Sequence, residues 1–267
     1  MDMKKYFAAV VISAAASVFA GTDYDLDSVS AWKRSANITQ SGDHLIVKGR
    51  TFMESRKLFD IDPSKIYKLE LEAKNLTDVP ARIYFGFEMY DADGKRKIRR
   101  ENIQIVHGTF CTVVKDVKKG DSAVFVDGGA AKWTNKKGTV IAIDAQKDCS
   151  DLPNFKLLFG SIKSIEKTAE GYKVTFNGGC PYAIAAGTGL RLHRAGGLMY
   201  TGGAAKLTGG KFTEMKGKVT GQLSRPGFEY HIWSKYAKKA SVIILANWGS
   251  NSEVEFKDIE LEIDDKK

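Results

Sequence analysis

Past residue 20 the sequence has no stretch approaching the about 20 consecutive apolar residues that a membrane-crossing helix needs, so no helical span is expected there. Cysteine is scarce: Cys111, Cys149 and Cys180 are the three. Three thiols suggest one bridge and one free thiol, and Cys149 with Cys180 is the expected pair, since both flank loops or strand ends of one segment. A Cys/His metal site is not expected, because His44, His107, His193 and His231 each lack a ligand partner at short spacing. The Gly-x-Ser-x-Gly elbow, the Walker loop and the His-Glu-x-x-His motif are all missing, which removes the enzyme classes those motifs mark. Apolar residues at helical spacing over ten or more positions are also missing after the N-terminus, which argues against a helical core.

What is present begins with an address. Lys4 and Lys5 precede an apolar run from Phe7 to Val18, and Val18-Phe19-Ala20 supplies small-x-small, so residues 1–20 read as a signal peptide cleaved after Ala20. No cysteine stands near that cleavage point to carry a lipid, so the expected location is free in the periplasm or the medium. The mature chain keeps about 247 residues, enough for one large β domain or two small ones. The net charge of +9 is scattered, and its densest clusters (Lys95, Arg96, Lys97, Arg99, Arg100 and Lys115, Lys118, Lys119) adjoin turn residues. They read as solvated turns and strand ends rather than a nucleic-acid surface.

Alternation of period two dominates. Ile83, Phe85, Phe87 and Met89 share one face while Tyr84, Gly86, Glu88 and Tyr90 share the other, as in a strand with one buried side. Asp91-Ala92-Asp93-Gly94 is a turn signal, read as a plain hairpin because no bidentate glutamate follows at calcium-loop spacing, and 95–105 is the expected return strand. Further strands are expected at 45–48, 65–74, 122–126, 138–143, 161–167, 172–176, 189–193, 216–221, 240–248 and 254–263, with turn residues between most of them. The expected fold is all-β: an antiparallel jelly-roll β-sandwich from 21–110 and 206–267, with a glycine-rich, inserted small β-barrel-like subdomain at 111–205.

Three outer segments carry a resemblance: Phe59-Asp60-Ile61-Asp62-Pro63-Ser64-Lys65-Ile66-Tyr67-Lys68-Leu69, Tyr84-Phe85-Gly86-Phe87-Glu88-Met89-Tyr90-Asp91, and Phe256-Lys257-Asp258-Ile259-Glu260-Leu261. Together they resemble the galactose-binding-like jelly roll of family four and nine carbohydrate-binding modules. The middle, with Val124-Phe125-Val126-Asp127, Ser150-Asp151-Leu152-Pro153-Asn154 and the stretch from Ala186 to His193, is similar to a β insertion found in secreted and phage-tail-like proteins. The jelly-roll resemblance implies a glycan ligand and no cofactor for function. It also places Asp258 where related jelly rolls hold a structural calcium, with Asp25 or Asp27 as a second acid.

Sugar binding on such a fold uses aromatic faces against the apolar face of a pyranose, with charged and amide groups on its hydroxyls. Tyr84 and Glu88 flank Gly86, whose missing side chain leaves room for a ligand, and Asn247 and Trp248 emerge at the end of the 240–248 strand. Trp233 and Trp32 are further stacking candidates, and Trp133 in a loop is expected to be the most exposed tryptophan. For each of these aromatics a purely structural role is the alternative. Arg191 and His193 share a strand face and suggest an anion or uronate site. The expected function is an exported, noncatalytic carbohydrate-binding-module-like protein. A structural or adhesive surface protein and a polysaccharide-active enzyme are the alternatives.

Overall fold

The computed structural model describes residues 24–33, 36–135, 137–158 and 162–266, so the signal-peptide segment lies outside the described residues. The strands are β1 (Tyr24–Asp25), β2 (Ile38–Ser41), β3 (His44–Lys48), β4 (Thr51–Glu54), β5 (Phe59–Asp60), β6 (Lys65–Asn75), β7 (Ala81–Tyr90), β8 (Cys111–Thr112) and β9 (Ala123–Val126). They continue with β10 (Thr139–Ile143), β11 (Leu157–Leu158), β12 (Ile162–Thr168), β13 (Gly171–Phe176), β14 (Gly189–Arg194), β15 (Met199–Leu207), β16 (Thr213–Thr220), β17 (Lys239–Ala246) and β18 (Glu253–Asp265). The fold is all-β with antiparallel ladders, as the alternation predicts.

Two of the sheets form a sandwich. Sheet one runs β16-β6-β18-β3-β2 with β1 on β18, and sheet two runs β15-β7-β17-β4 with β5 on β17. Alternation turns Tyr67, Leu69 and Leu71 of β6 and Phe256 and Leu261 of β18 inward against Ile83, Phe85 and Phe87 of β7 and Val242 and Ile244 of β17, all of them buried in one cluster. Each such side chain contributes about 1.5–3 kcal/mol on burial. Trp233 stands at the centre of this core, with its ring 5.1 Å from Tyr67 and 5.2 Å from Phe87.

The outward faces of the two sheets differ. On sheet one the outward residues are long and charged, and they pair across strands: Lys216 with Glu70, Lys257 with Glu72, Lys74 with Glu255, and Lys68 with Glu262 and Asp264. That face is a solvated charge ladder. Sheet two carries aromatic and apolar side chains outward, and it positions the site described below.

Residues 95–105 do not return as a strand. β17 holds one edge of β7 over Tyr84–Tyr90 and β15 the other over Ala81–Phe87, so the segment after the Asp91–Gly94 turn finds an open edge only at the last residues of β7, where the Ile98 amide donates to the Met89 carbonyl at 2.8 Å. It bridges Tyr90 with Lys97, forms the short helix α1 (Arg100–Ile103), whose first turn is held by the Asn102 side chain accepting the Arg99 amide at 2.8 Å, and then bridges Ile105 with His193. Ile98 and Ile103 bury into the sandwich core from either side of this turn.

Between β7 and β15 the chain builds two further sheets, β11-β10-β14-β8 and β12-β13-β9, around a second cluster that includes Val124, Ile141, Val174, Leu190 and Leu192. β15 hydrogen-bonds to β7, which puts residues 199–205 in the sandwich rather than in the middle region where their glycines suggested. The expected bridge between Cys149 and Cys180 is not formed; all three cysteines are free thiols. Cys180 packs in the second cluster with Leu190 and Leu192, whereas the Cys149 thiol meets Arg191, which alternation turns to the opposite side of β14.

Candidate functional site

The outward face of sheet two is assembled in register. Tyr84 lies opposite Leu245, Gly86 opposite Ile243 and Glu88 opposite Ser241 on β17, while Phe52 of β4 sits beside Leu245 on the other side. Gly86 does not make room for a ligand: a Cβ there would overlap the Met199 carbonyl oxygen. The missing side chain instead admits the irregular start of β15, where the register shifts between Tyr200 and Gly202. That close approach sets the Tyr200 ring 5.4 Å from the Tyr84 ring, so two tyrosines form one wall.

Trp248 is held at the far end by the turn after β17. Asn247 is buried in a left-handed conformation (φ 56°) and does not face solvent as the sequence suggests. Its amide donates to the Val47 and Gly49 carbonyls at 3.1 and 2.9 Å and accepts from the Ser252 hydroxyl at 2.7 Å. The Trp248 amide donates to the Arg82 carbonyl at 3.0 Å, and the Arg50 guanidinium lies 3.7 Å from the centre of the indole. Trp248 is 38% exposed.

These elements enclose a groove of about 740 Å³ lined by Arg50, Phe52, Tyr84, Arg99, Gly197, Leu198, Tyr200, Leu245 and Trp248. Sequence reasoning found Tyr84 and Trp248. It missed Phe52, because no strand is evident at 51–54, and Tyr200, because 199–207 reads as part of the middle region. Arg50 and Arg99 carry no sequence signal beyond their charge.

Next to the lining residue Arg99, on the same outward face, lies a cluster of paired charges. Glu88, 1% exposed, accepts from Arg99 through both carboxylate oxygens at 3.1 and 2.8 Å, and Lys97 stands 3.3 Å away. Glu54 accepts from Lys97 at 2.6 Å and from Lys33 and the Tyr90 hydroxyl at shorter range. Burial opposes the charge on Glu54, but hydrogen bonds from Lys33, Lys97 and Tyr90 outweigh it and hold the carboxyl down at about 2. Burial first, and then the Glu54 charge, push Tyr90 up to about 12. The folded carboxyl titrates below its ordinary value, so ionised Glu54 stabilises the fold fully above about pH 5 and loses that contribution as pH falls toward 2. Urea unfolding of wild type and Glu54→Gln across that window should therefore show a shallower acid slope in the variant. Parallel profiles would contradict the pairing.

The remaining sequence candidates lie elsewhere. Trp233 is fully buried in the sandwich core, and Trp32 and Trp133 are buried too, Trp133 donating its indole N–H to the Thr109 carbonyl at 2.7 Å rather than being exposed. Arg191 and His193 do share a face of β14, but it is buried and filled. Arg191 donates to Asp151 at 2.8 Å, to the Gln146 carbonyl at 2.8 Å and to His193 Nε2 at 3.1 Å. His193 Nδ1 lies 2.7 Å from the Glu101 carbonyl, which requires an N–H there and makes Nε2 the acceptor. Burial pushes this histidine down to about 4, so it is neutral and positioned as packing.

Asp27 and Asp258 stand at the irregularity between β18 and its neighbours. Asp27 accepts the Ile259 amide at 3.0 Å, and Asp258, at φ 51°, pairs with Lys257 at 2.8 Å. The Asp25 side chain lies outside the described ones. Among the described residues no group of three or more His, Cys, Asp or Glu is placed to hold a metal ion. No helix of the described residues is long and apolar enough to cross a membrane.

No protein-family model, curated protein or solved structure matches this chain. Its function is therefore argued from the groove.

Proposed function

We propose that this chain is an exported, noncatalytic binding protein that takes a carbohydrate in the groove on the outward face of sheet two, as its resemblance to carbohydrate-binding modules implies. One observation carries the reading: Tyr84, Tyr200, Phe52 and Trp248 converge on a single groove that also receives two guanidinium groups. Its volume of about 740 Å³ falls within the roughly 300–1,000 Å³ of small-molecule sites. A pyranose has one face of C–H groups and a rim of hydroxyls. The aromatic wall takes the first and Arg50 and Arg99 take the second. Binding rather than turnover is favoured because Glu88, which pairs with the lining residue Arg99, and Glu54, which shares Lys97 with it, are buried and neutralised by Lys33, Lys97 and Arg99. Neither is free to donate or accept a proton at a sugar in the groove. The charge ladder on sheet one supports the same choice of face.

The test is native gel electrophoresis through soluble polysaccharides. Wild type should be retarded by at least one polysaccharide, and Trp248→Ala and Tyr84→Ala should each weaken retention about tenfold or more, equivalent to about 1.4 kcal/mol. Both side chains are outside the sandwich core, so the variants should unfold near the wild-type midpoint. Unchanged mobility of wild type in every polysaccharide would contradict the proposal.

A further inference from the structure

We propose that the groove selects an acidic polysaccharide, one whose sugars carry a carboxylate at C5, over neutral glycans. The inference rests on the carbohydrate reading above and adds the class of sugar. Its basis is the imbalance of polar groups in the groove. Among the described residues the lining contains two guanidinium groups and no carboxylate. The Tyr84 and Tyr200 hydroxyls can accept as well as donate, but the guanidinium groups only donate, and no anionic side chain of the lining balances them. The ligand that satisfies such a lining supplies acceptor oxygens and negative charge.

The two arginines are prepared for that task in different ways. Arg99 is fixed by its two hydrogen bonds to Glu88, made through Nε and Nη2, which leaves Nη1 without a partner among the described residues. Arg50 is exposed, pairs with no carboxylate among the described residues, and sits over the Trp248 ring with its guanidinium carbon 3.7 Å from the ring centre. A guanidinium stacked on an indole keeps its N–H edge free and pre-oriented, which lowers the entropy cost of a two-point contact with a planar carboxylate. An equatorial carboxylate at C5 lies close to the mean plane of its ring. A sugar stacked on the aromatic wall thus directs that group along the groove toward the rim rather than out into solvent. Arg82, two residues before Tyr84 on the same face of β7, is also exposed and unpaired among the described residues, so positive charge continues past Trp248. Glu88 is ion-paired with Arg99, so the unpaired positive charge of the lining comes from Arg50.

Isothermal titration of the full chain at about 0.15 M salt separates the possibilities, because long-range attraction to any polyanion is largely screened there. Polygalacturonate and alginate are to be compared with carboxyl-reduced polygalacturonate and with dextran sulfate. The expected result is saturable binding to at least one uronate polymer and at least tenfold weaker binding to the reduced polymer. Arg50→Ala and Arg50→Lys should both weaken the uronate complex about tenfold, the lysine variant failing because a point charge cannot stack or form the fork. Trp248→Ala should weaken it as well, and Lys163→Ala on β12, outside the groove, should not. Equal affinity for the reduced polymer would overturn the anionic inference and leave the carbohydrate proposal standing. Binding that extends to dextran sulfate and survives both Arg50→Lys and Trp248→Ala would mean charge attraction alone and overturn it. No binding to any polymer, neutral or acidic, would overturn both.

Discussion

Replacing Trp233 with alanine is expected to destabilise the protein by about 3–5 kcal/mol, the range for removing a large aromatic side chain from a packed core. Trp233 is fully buried, in contact with Phe59, Tyr67 and Phe87, and its backbone is tied on both sides: its amide donates to the Gly221 carbonyl at 3.1 Å and its carbonyl accepts from the Leu223 amide at 2.9 Å. The backbone therefore cannot move in to refill the space. Its indole N–H has no partner among the described residues, so Trp233→Phe gives up no hydrogen bond to them, removes less volume and should cost markedly less than alanine. Urea unfolding followed by far-UV circular dichroism gives both numbers. A loss below about 1 kcal/mol for Trp233→Ala would contradict the placement of this ring at the centre of the sandwich.

Arg191→Ala is the second large effect, also about 3–5 kcal/mol, because it strands a buried carboxylate. The side chains of Arg191 and Asp151 are 3% and 7% exposed and meet at 2.8 Å. Burial works against the charge on Asp151, and Asn154, the Gln146 amide and Arg191 together bring its carboxyl below the ordinary range. Removing the arginine takes the counter-ion, the bond to the Gln146 carbonyl and the donor to His193 at once. The double replacement Arg191→Met with Asp151→Leu should recover much of the loss, since it removes both charges rather than one. Neither change touches the groove, so glycan retention of the folded variants should match wild type. If Arg191→Ala lost glycan affinity while its stability stayed within about 0.5 kcal/mol of wild type, this face would be a binding site after all.

The contrast between these two predictions and the groove shows what the sequence makes legible. β7 and β17 are readable because one face of each is continuously apolar, and from β7 follows the outward position of Tyr84. The turn at Asp91–Gly94 is readable from its residues alone, with the Gly94 amide donating to the Asp91 carbonyl at 3.1 Å. The path after it is not, because whether 95–105 pairs depends on which strands already flank β7. Alternation places Arg191 and His193 on one face of β14, yet it does not say what covers that face. Trp233 lies in the irregular stretch between β16 and β17, where no periodicity marks burial. The groove itself depends on β15, whose glycines look like linker in a sequence but serve close packing. Side chains at Gly202 and Gly203 would collide with the Phe85 ring and the Ile83 carbonyl oxygen. Tyr200 reaches Tyr84 only because those approaches are allowed.

Acrylamide quenching of tryptophan fluorescence, with and without a retained polysaccharide, tests the groove most directly. Trp32, Trp133 and Trp233 are 1%, 5% and 0% exposed, whereas Trp248 is 38% exposed, so one tryptophan of the four should be readily quenched in the free protein. Saturating polysaccharide is expected to protect that tryptophan, and Trp248→Phe should remove the quenchable fraction altogether. A protein that binds polysaccharide while Trp248 stays as accessible as before would place the ligand elsewhere and contradict the assignment of this groove.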